Sequence, residues 1–345
     1  MIKSIIISAF FTFSTIAALY SQPLPAANVR NDDQSWKTIF KYEPEWMKGD
    51  STSLRLHMEQ IIITKNLAYD KYTLTDVYPY KDTTRMFQWD KIKEKLAMIE
   101  DVQKSPSKWG ILQNRRNVNG VAPVAKNAVE NAYKRISDAY GTDRYQSVPL
   151  YGKDDLSTPE RYGNDGALVR LISEANDTAT VEWIYIGSDE WKVPTKYIKK
   201  ISDTIKFTKV ICVDRTNQNI TTLEWVGNEW LVRSMNPATT GLHNPPYQQE
   251  TPLGIFVVQE KKDRMVYLVD GSSAIGGFAP YASRFSNGGY IHGVPVNAPG
   301  KNLIEYSWTL GSTPRSHMCV RNATSHAKFV YDWAPVYQSL VVVIE

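Results

Sequence analysis

Cys319 stands in the run Ser316-His317-Met318-Cys319-Val320-Arg321 and is one of two cysteines in 345 residues. A thiolate is the nucleophilic form of cysteine, and nearby cations lower a thiol's pKa. In an extended segment His317 and Arg321, each two positions away, share the face of Cys319. His292, in Tyr290-Ile291-His292-Gly293, ends a separate apolar run. A histidine held against a thiol takes its proton and later returns one to a leaving amine. These residues allow nucleophilic acyl transfer. Two blander readings stay open: Cys319 as a small buried residue, or a Cys212–Cys319 disulfide in an exported protein. Cys212, in Val210-Ile211-Cys212-Val213, reads as a buried strand residue, and His57 stands alone as a packed or surface histidine. His243, His292, His317 and His326 show no metal-ligand spacing, so neither a metal nor a cofactor is expected.

The elements that must position these groups fall into several parts. Hydrophobic residues make up 42% and charged residues 22%, which excludes a disordered or fibrous chain. The net charge of +4, with no basic block, gives no reason to expect nucleic acid as a partner. Lys3 followed by an apolar stretch to about Leu19 reads as an export signal over residues 1–21, with Ser21 before the cut. An uncleaved anchor is the alternative, although the run is shorter than the ~20 apolar residues a span needs. Residues 22–52 read as a polar lead-in. Residues 53–145 read as a helix-rich region, because Trp89, Ile92, Leu96 and Ile99, and later Ala128, Tyr133, Ile136 and Tyr140, recur at helical spacing. Between these lies a loop from Trp109 to Pro123. Residues 146–205 shift to short strands with tight turns and read as a small β-barrel. Strands continue through residues 206–345, with one helix predicted near the end, capped by Thr324 and burying Phe329, Val330 and Trp333.

Two segments resemble known families. Residues 146–205, through "GALVRL" and "EWKVPTKYIKKI", resemble a bacterial SH3-like domain. Residues 206–345 resemble the YkuD-type L,D-transpeptidase catalytic domain. The matching elements come in family order: "VICVDRTNQNITTLE", "PATTG", Thr251-Pro252-Leu253-Gly254-Ile255-Phe256, "RFSNGGYIHG", "SHMCVR", "AKFVYDW" and a final apolar strand. The fold class expected is therefore multidomain, with a helix-rich N-terminal region, an SH3-like barrel and a mostly-β catalytic domain.

The second resemblance implies an enzyme of the bacterial periplasm or cell envelope that acts on peptidoglycan stem peptides. In that scheme Cys319 attacks the third residue of a tetrapeptide stem, D-alanine leaves, and an amine from a second stem resolves the thioester into a 3→3 cross-link. His292 matches the general base, Gly293 lets a backbone carbonyl orient its ring, and Ser316 and His317 belong to the cysteine motif. His317 is assigned to positioning or oxyanion stabilisation. Arg321 is assigned to lowering the thiol pKa or holding a substrate carboxylate, against a structural ion pair. Tyr281, Arg284 and Phe285 would line the cleft, against ordinary packing. Carbapenem-type inhibitors are implied as ligands of the same thiol. An L,D-carboxypeptidase acting on the same stems and a non-catalytic wall-binding protein are the alternatives.

Two features depart from the family pattern. Met318 replaces the usual glycine before the cysteine; a bulky residue favours φ < 0, so that backbone is expected, with the amides of Met318 and Cys319 still serving the oxyanion. The 23 residues between His292 and Ser316 suggest an inserted loop, a candidate lid.

Overall fold

The computed structural model describes residues 51–345 apart from Ser188; the predicted signal and nearly all of the lead-in lie outside the described residues. Among the described residues there are three short α-helices, α1 (Ser51–Gln60), α2 (Trp89–Gln103) and α3 (Thr324–Trp333), and, apart from 3-10 turns at Arg115–Asn117 and Thr195–Tyr197, the rest of the regular structure is strand. The helix-rich N-terminal region is thus corrected to a mixed one. The helical spacing held for α2, which buries Ile92, Leu96 and Ile99. Each such side chain contributes about 1.5–3 kcal/mol of transfer free energy. His57 on α1 reaches Glu100 on α2 at 2.9 Å, which ties the two helices together.

The spacing failed over 128–140. There the chain forms a small hairpin of Val129–Glu130 and Ile136–Ser137. Asn131 Oδ1 accepts from the backbone N–H groups of Tyr133 and Arg135, and Asp138 Oδ1 from those of Tyr140 and Thr142. Short polar side chains that satisfy nearby backbone donors compete with helix formation. Tyr133 and Tyr140 are exposed, so the periodic residues had no core to face. At the C-terminal helix the cap is Ala323, not Thr324, whose hydroxyl instead donates to the Ile304 carbonyl and accepts from Val294 N–H.

A six-stranded sheet runs in the order 63–65, 229–237, 219–226, 209–214, 339–344, 254–257. Its strand Ser339–Ile344 is buried at every position, as a central strand covered on both faces must be. A second sheet orders 260–268, 275–286, 289–292 and 320–321, with 296–297 paired to 275–286. A third, antiparallel sheet orders 190–194, 178–183, 168–175, 108–112 and 198–201. Lys108–Leu112 therefore comes from the start of the stretch read as a loop within the helix-rich region, and it completes the sheet formed by 168–201. Val169, Val181 and Trp183 of this sheet share one buried cluster with Ile211, Phe256, Ile291 and Val341. The third sheet and the C-terminal domain thus have a common core.

Candidate active site

The site is built on one parallel strand pair. Ile291 pairs with Val320 and His292 with Arg321. Ile291 and Val320 point into the main core, whereas Tyr290 and Cys319 cluster with Ala282 on the other face. The two-residue period of a strand puts His292 and Arg321 on the face of Cys319. The short strand is fixed on both edges. Asn322 N–H donates to the His292 carbonyl at 2.9 Å, and Thr239 and Arg321 exchange backbone hydrogen bonds at 2.9 and 3.0 Å.

His292 is 3% exposed, and its Nδ1 lies 2.6 Å from the Gly293 carbonyl oxygen. A carbonyl only accepts, so Nδ1 carries the proton and Nε2 is left as the base. Gly293 is required here: a Cβ would lie 2.7 Å from Thr324 Oγ1 and 2.9 Å from Pro280 Cγ. Burial drives the His292 pKa down to about 4, opposed by the Gly293 hydrogen bond and assisted by Arg321. Burial pushes the Cys319 thiol up, offset in part by the Tyr290 N–H and the Arg321 charge. Its Sγ sits 3.5 Å from the Gly288 carbonyl oxygen. With the base low and the acid high, the resting pair at neutral pH is thiol plus neutral imidazole.

This ordering fixes a pH dependence. Below its pKa a thiol's reactive fraction grows about tenfold per pH unit. Alkylation of Cys319 by iodoacetamide is therefore expected to accelerate continuously from about pH 6 to beyond about 9. A flat rate between about pH 5 and 8 would reveal a preformed thiolate–imidazolium pair and contradict the assignment.

Met318 adopts φ 77°, so the expectation of φ < 0 is corrected. The conformation is the one glycine takes freely, and a bulky residue there stores about 1–3 kcal/mol of strain. The surroundings hold it. Thr251 Oγ1 donates to the Met318 carbonyl at 2.9 Å and accepts from Gly241 N–H at 2.8 Å. Ser316 Oγ donates to the Cys319 carbonyl, bracing the turn from within. A Cβ on Gly241 would meet Met318 Cα at 2.8 Å, so close packing of backbone on backbone sets the turn. The Met318 side chain is 8% exposed and lines a cleft of about 490 Å³ that Cys319 itself does not line.

The other residues singled out from the sequence separate into two groups. Arg321 stays with the thiol: no carboxylate pairs with it among the described residues, and its Nε has no hydrogen-bond partner. His317 does not; it is on the surface with Nε2 2.8 Å from Asp270 Oδ2. Arg284 is drawn into an internal network, 2.8 Å from Asp165 and 3.1 Å from Glu260. Tyr281 packs against Tyr331 of α3, at 6.0 Å between ring centroids. Phe285 is core, against Phe256. Both cysteines are free, and Cys212 is buried in the opposite cluster, which removes the disulfide alternative. The segment between His292 and Ser316 packs on α3, where Glu305 accepts from Ser325 N–H, and on Tyr72 through Tyr306.

Sequence reasoning missed Tyr290 and its partners. The Tyr290 hydroxyl accepts from Arg115 at 2.9 Å and donates to Glu260 at 3.2 Å. This places Arg115, from the loop 109–123, behind the ring that packs with Cys319. Arg115 is 175 residues from Tyr290, and no local spacing signals such a pair.

These features describe a mostly-β domain with a thiol–imidazole pair on one strand face. Residues 208–344 match the family model of the L,D-transpeptidase catalytic domain, YkuD; the match covers less than half the chain. No curated protein matches. Among solved structures, a fused zinc-dependent amidase/peptidase/peptidoglycan-binding protein from Clostridium acetobutylicum is 20% identical over 41% of this chain and 53% of its own, with TM-score 0.30. This chain thus spans about half the length of that protein. An L,D-transpeptidase from Mycobacterium smegmatis is 19% identical over 51% and 82%, with TM-score 0.32. L,D-transpeptidase 3 from Mycobacterium tuberculosis, in complex with a faropenem-derived adduct, is 17% identical over 53% and 93%, with TM-score 0.32.

Proposed function

We propose that this protein is an exported peptidoglycan L,D-transpeptidase that works in the periplasm or cell envelope through Cys319. The observation that carries the reading is the placement of Cys319, His292 and an unpaired Arg321 on one face of a parallel strand pair within the matched domain. His292 Nε2 takes the thiol proton as Sγ bonds to the carbonyl carbon of the stem's third residue. The oxyanion is met by backbone N–H groups of the 318–319 turn. When the carbon–nitrogen bond breaks, protonated His292 gives its proton to the departing D-alanine amine, leaving a thioester. An amine of a second stem then attacks, passes a proton to His292, and the thiol is regained with a new amide bond. Arg321 stabilises developing negative charge and holds a substrate carboxylate. Because Met318 takes a glycine-like φ, its bulk gives no reason to prefer a non-catalytic wall-binding role. A carbapenem would enter the same path, its strained lactam carbonyl standing in for the stem carbonyl.

Incubation with tetrapeptide-bearing wall fragments is expected to release D-alanine and form 3→3 cross-linked dimers, read by mass spectrometry of the products. Folded protein that yields neither product would overturn the proposal, and D-alanine release without dimers would assign water as the acceptor.

A further inference from the structure

The cleft that Met318 lines is also lined by Arg161, Tyr140 and Trp183, all outside the matched domain. The Arg161 guanidinium lies 4.1 Å from the Tyr140 ring centroid, 5.1 Å from Trp183 and 5.9 Å from Trp191. Three arginines line this cleft. Arg135 is 2.8 Å from Asp143 and Arg215 is 2.6 Å from Glu250, so two of the three charges are answered. Arg161 has no ion pair among the described residues, and its Nε is buried without a partner, as are the Nε1 groups of Trp183 and Trp191. Asp138 and Asp189 act on it only at longer range, and Asp138 already accepts from the N–H groups of Tyr140, Thr142 and Tyr162. A desolvated guanidinium that lines a cleft without a counter-ion suits a planar anion, which it can hold bidentately, and the aromatic rings around it limit its freedom.

We infer that this cage is a subsite for a carboxylate of the peptide stem that lies away from the scissile bond, such as that of a γ-linked glutamate. The inference rests on the function proposed above and adds a second anchor that aligns the stem along the cleft: Arg161 begins the strand Arg161–Asn164, which pairs with Ser147–Leu150, and Trp183 and Trp191 come from the third sheet. The cleft volume suits a short peptide segment. The same carboxylate chemistry is offered by the donor stem and by the acceptor stem.

The test is equilibrium binding of two synthetic tetrapeptides, with the glutamate carboxylate free or amidated, to full-length Cys319→Ala protein, followed by tryptophan fluorescence. The free form should bind about tenfold to a hundredfold more tightly than the amide. That preference should disappear in Arg161→Met and shrink in Arg161→Lys, which keeps the charge and loses the fork. Equal affinities in the protein that retains Arg161, no binding of either peptide, or a preference that survives Arg161→Met would each overturn the subsite. The two-peptide comparison needs no change at Arg161, so a poorly folded variant leaves it decisive. Discrimination without turnover by the unaltered protein would sink the enzymatic reading and keep the subsite. Turnover without discrimination would do the reverse. With amidation confined to the donor or to the acceptor, the stem whose KM rises is the one held.

Discussion

Replacing His292 with alanine is expected to lower D-alanine release from tetrapeptide stems by at least about a hundredfold, and Cys319→Ala to abolish it. The reasoning is local. Nε2 of His292 is a base that the fold leaves neutral at physiological pH on the face of the thiol, because burial holds its pKa near 4 and Gly293 fixes its tautomer. The thiol cannot supply its own anion, since burial raises its pKa. Without the imidazole the proton has no acceptor, and without the sulfur there is no covalent intermediate. The two groups act as one unit, so the double variant should be little worse than Cys319→Ala alone. Thermal melts should stay close to the parent's. Retention of most activity by either single variant would remove these roles.

Gly166→Ala is expected to cost the most stability of any single methyl added to this chain. Gly166 has φ +88°, and a Cβ there would sit 1.8 Å from the Phe285 carbonyl oxygen and 2.5 Å from Gln259 Nε2. Relief requires backbone movement where three sheets meet. Gly166 N–H donates to the Leu112 carbonyl at 2.7 Å, and its own carbonyl accepts from Val257 N–H at 3.0 Å. Next to it, Asp165 holds Arg284 and accepts from Asn287 N–H. A change forced on backbone in the core exceeds about 4 kcal/mol, which lowers Tm by at least about 8 °C. Gly120→Ala and Gly227→Ala are the controls: both have positive φ and open space, so they report the conformational cost alone, about 1 kcal/mol. A Gly166→Ala melt no lower than the controls would show that the sheets are not clamped there.

The strands of the C-terminal domain and the placing of Cys319 and His292 on one face were legible because their signals are local. An apolar run such as Ser339–Ile344, and a histidine followed by a glycine, carry their meaning within a few residues. What was not legible depends on groups brought together from far apart. The φ of Met318 was misread from residue type alone, because Thr251 and Gly241, distant in sequence, impose the turn. Arg284 looked free for substrate until Asp165, 119 residues earlier, claimed it. His317 shares the motif of Cys319, yet the positive φ at Met318 breaks strand alternation between them and turns it toward Asp270. The helical spacing over 128–140 lost to Asn131 and Asp138, whose side chains satisfy the backbone locally. Arg161 is drawn into its cage by rings from three segments, a convergence that no linear pattern announces.

The most direct test of the central claim, that Cys319 is acylated, is intact-protein mass spectrometry after exposure to a carbapenem, with peptide mapping of the adduct. The account predicts one added drug mass located on Cys319 and none on Cys319→Ala. No adduct after hours of drug excess on folded protein, or an adduct that persists in Cys319→Ala, would contradict it.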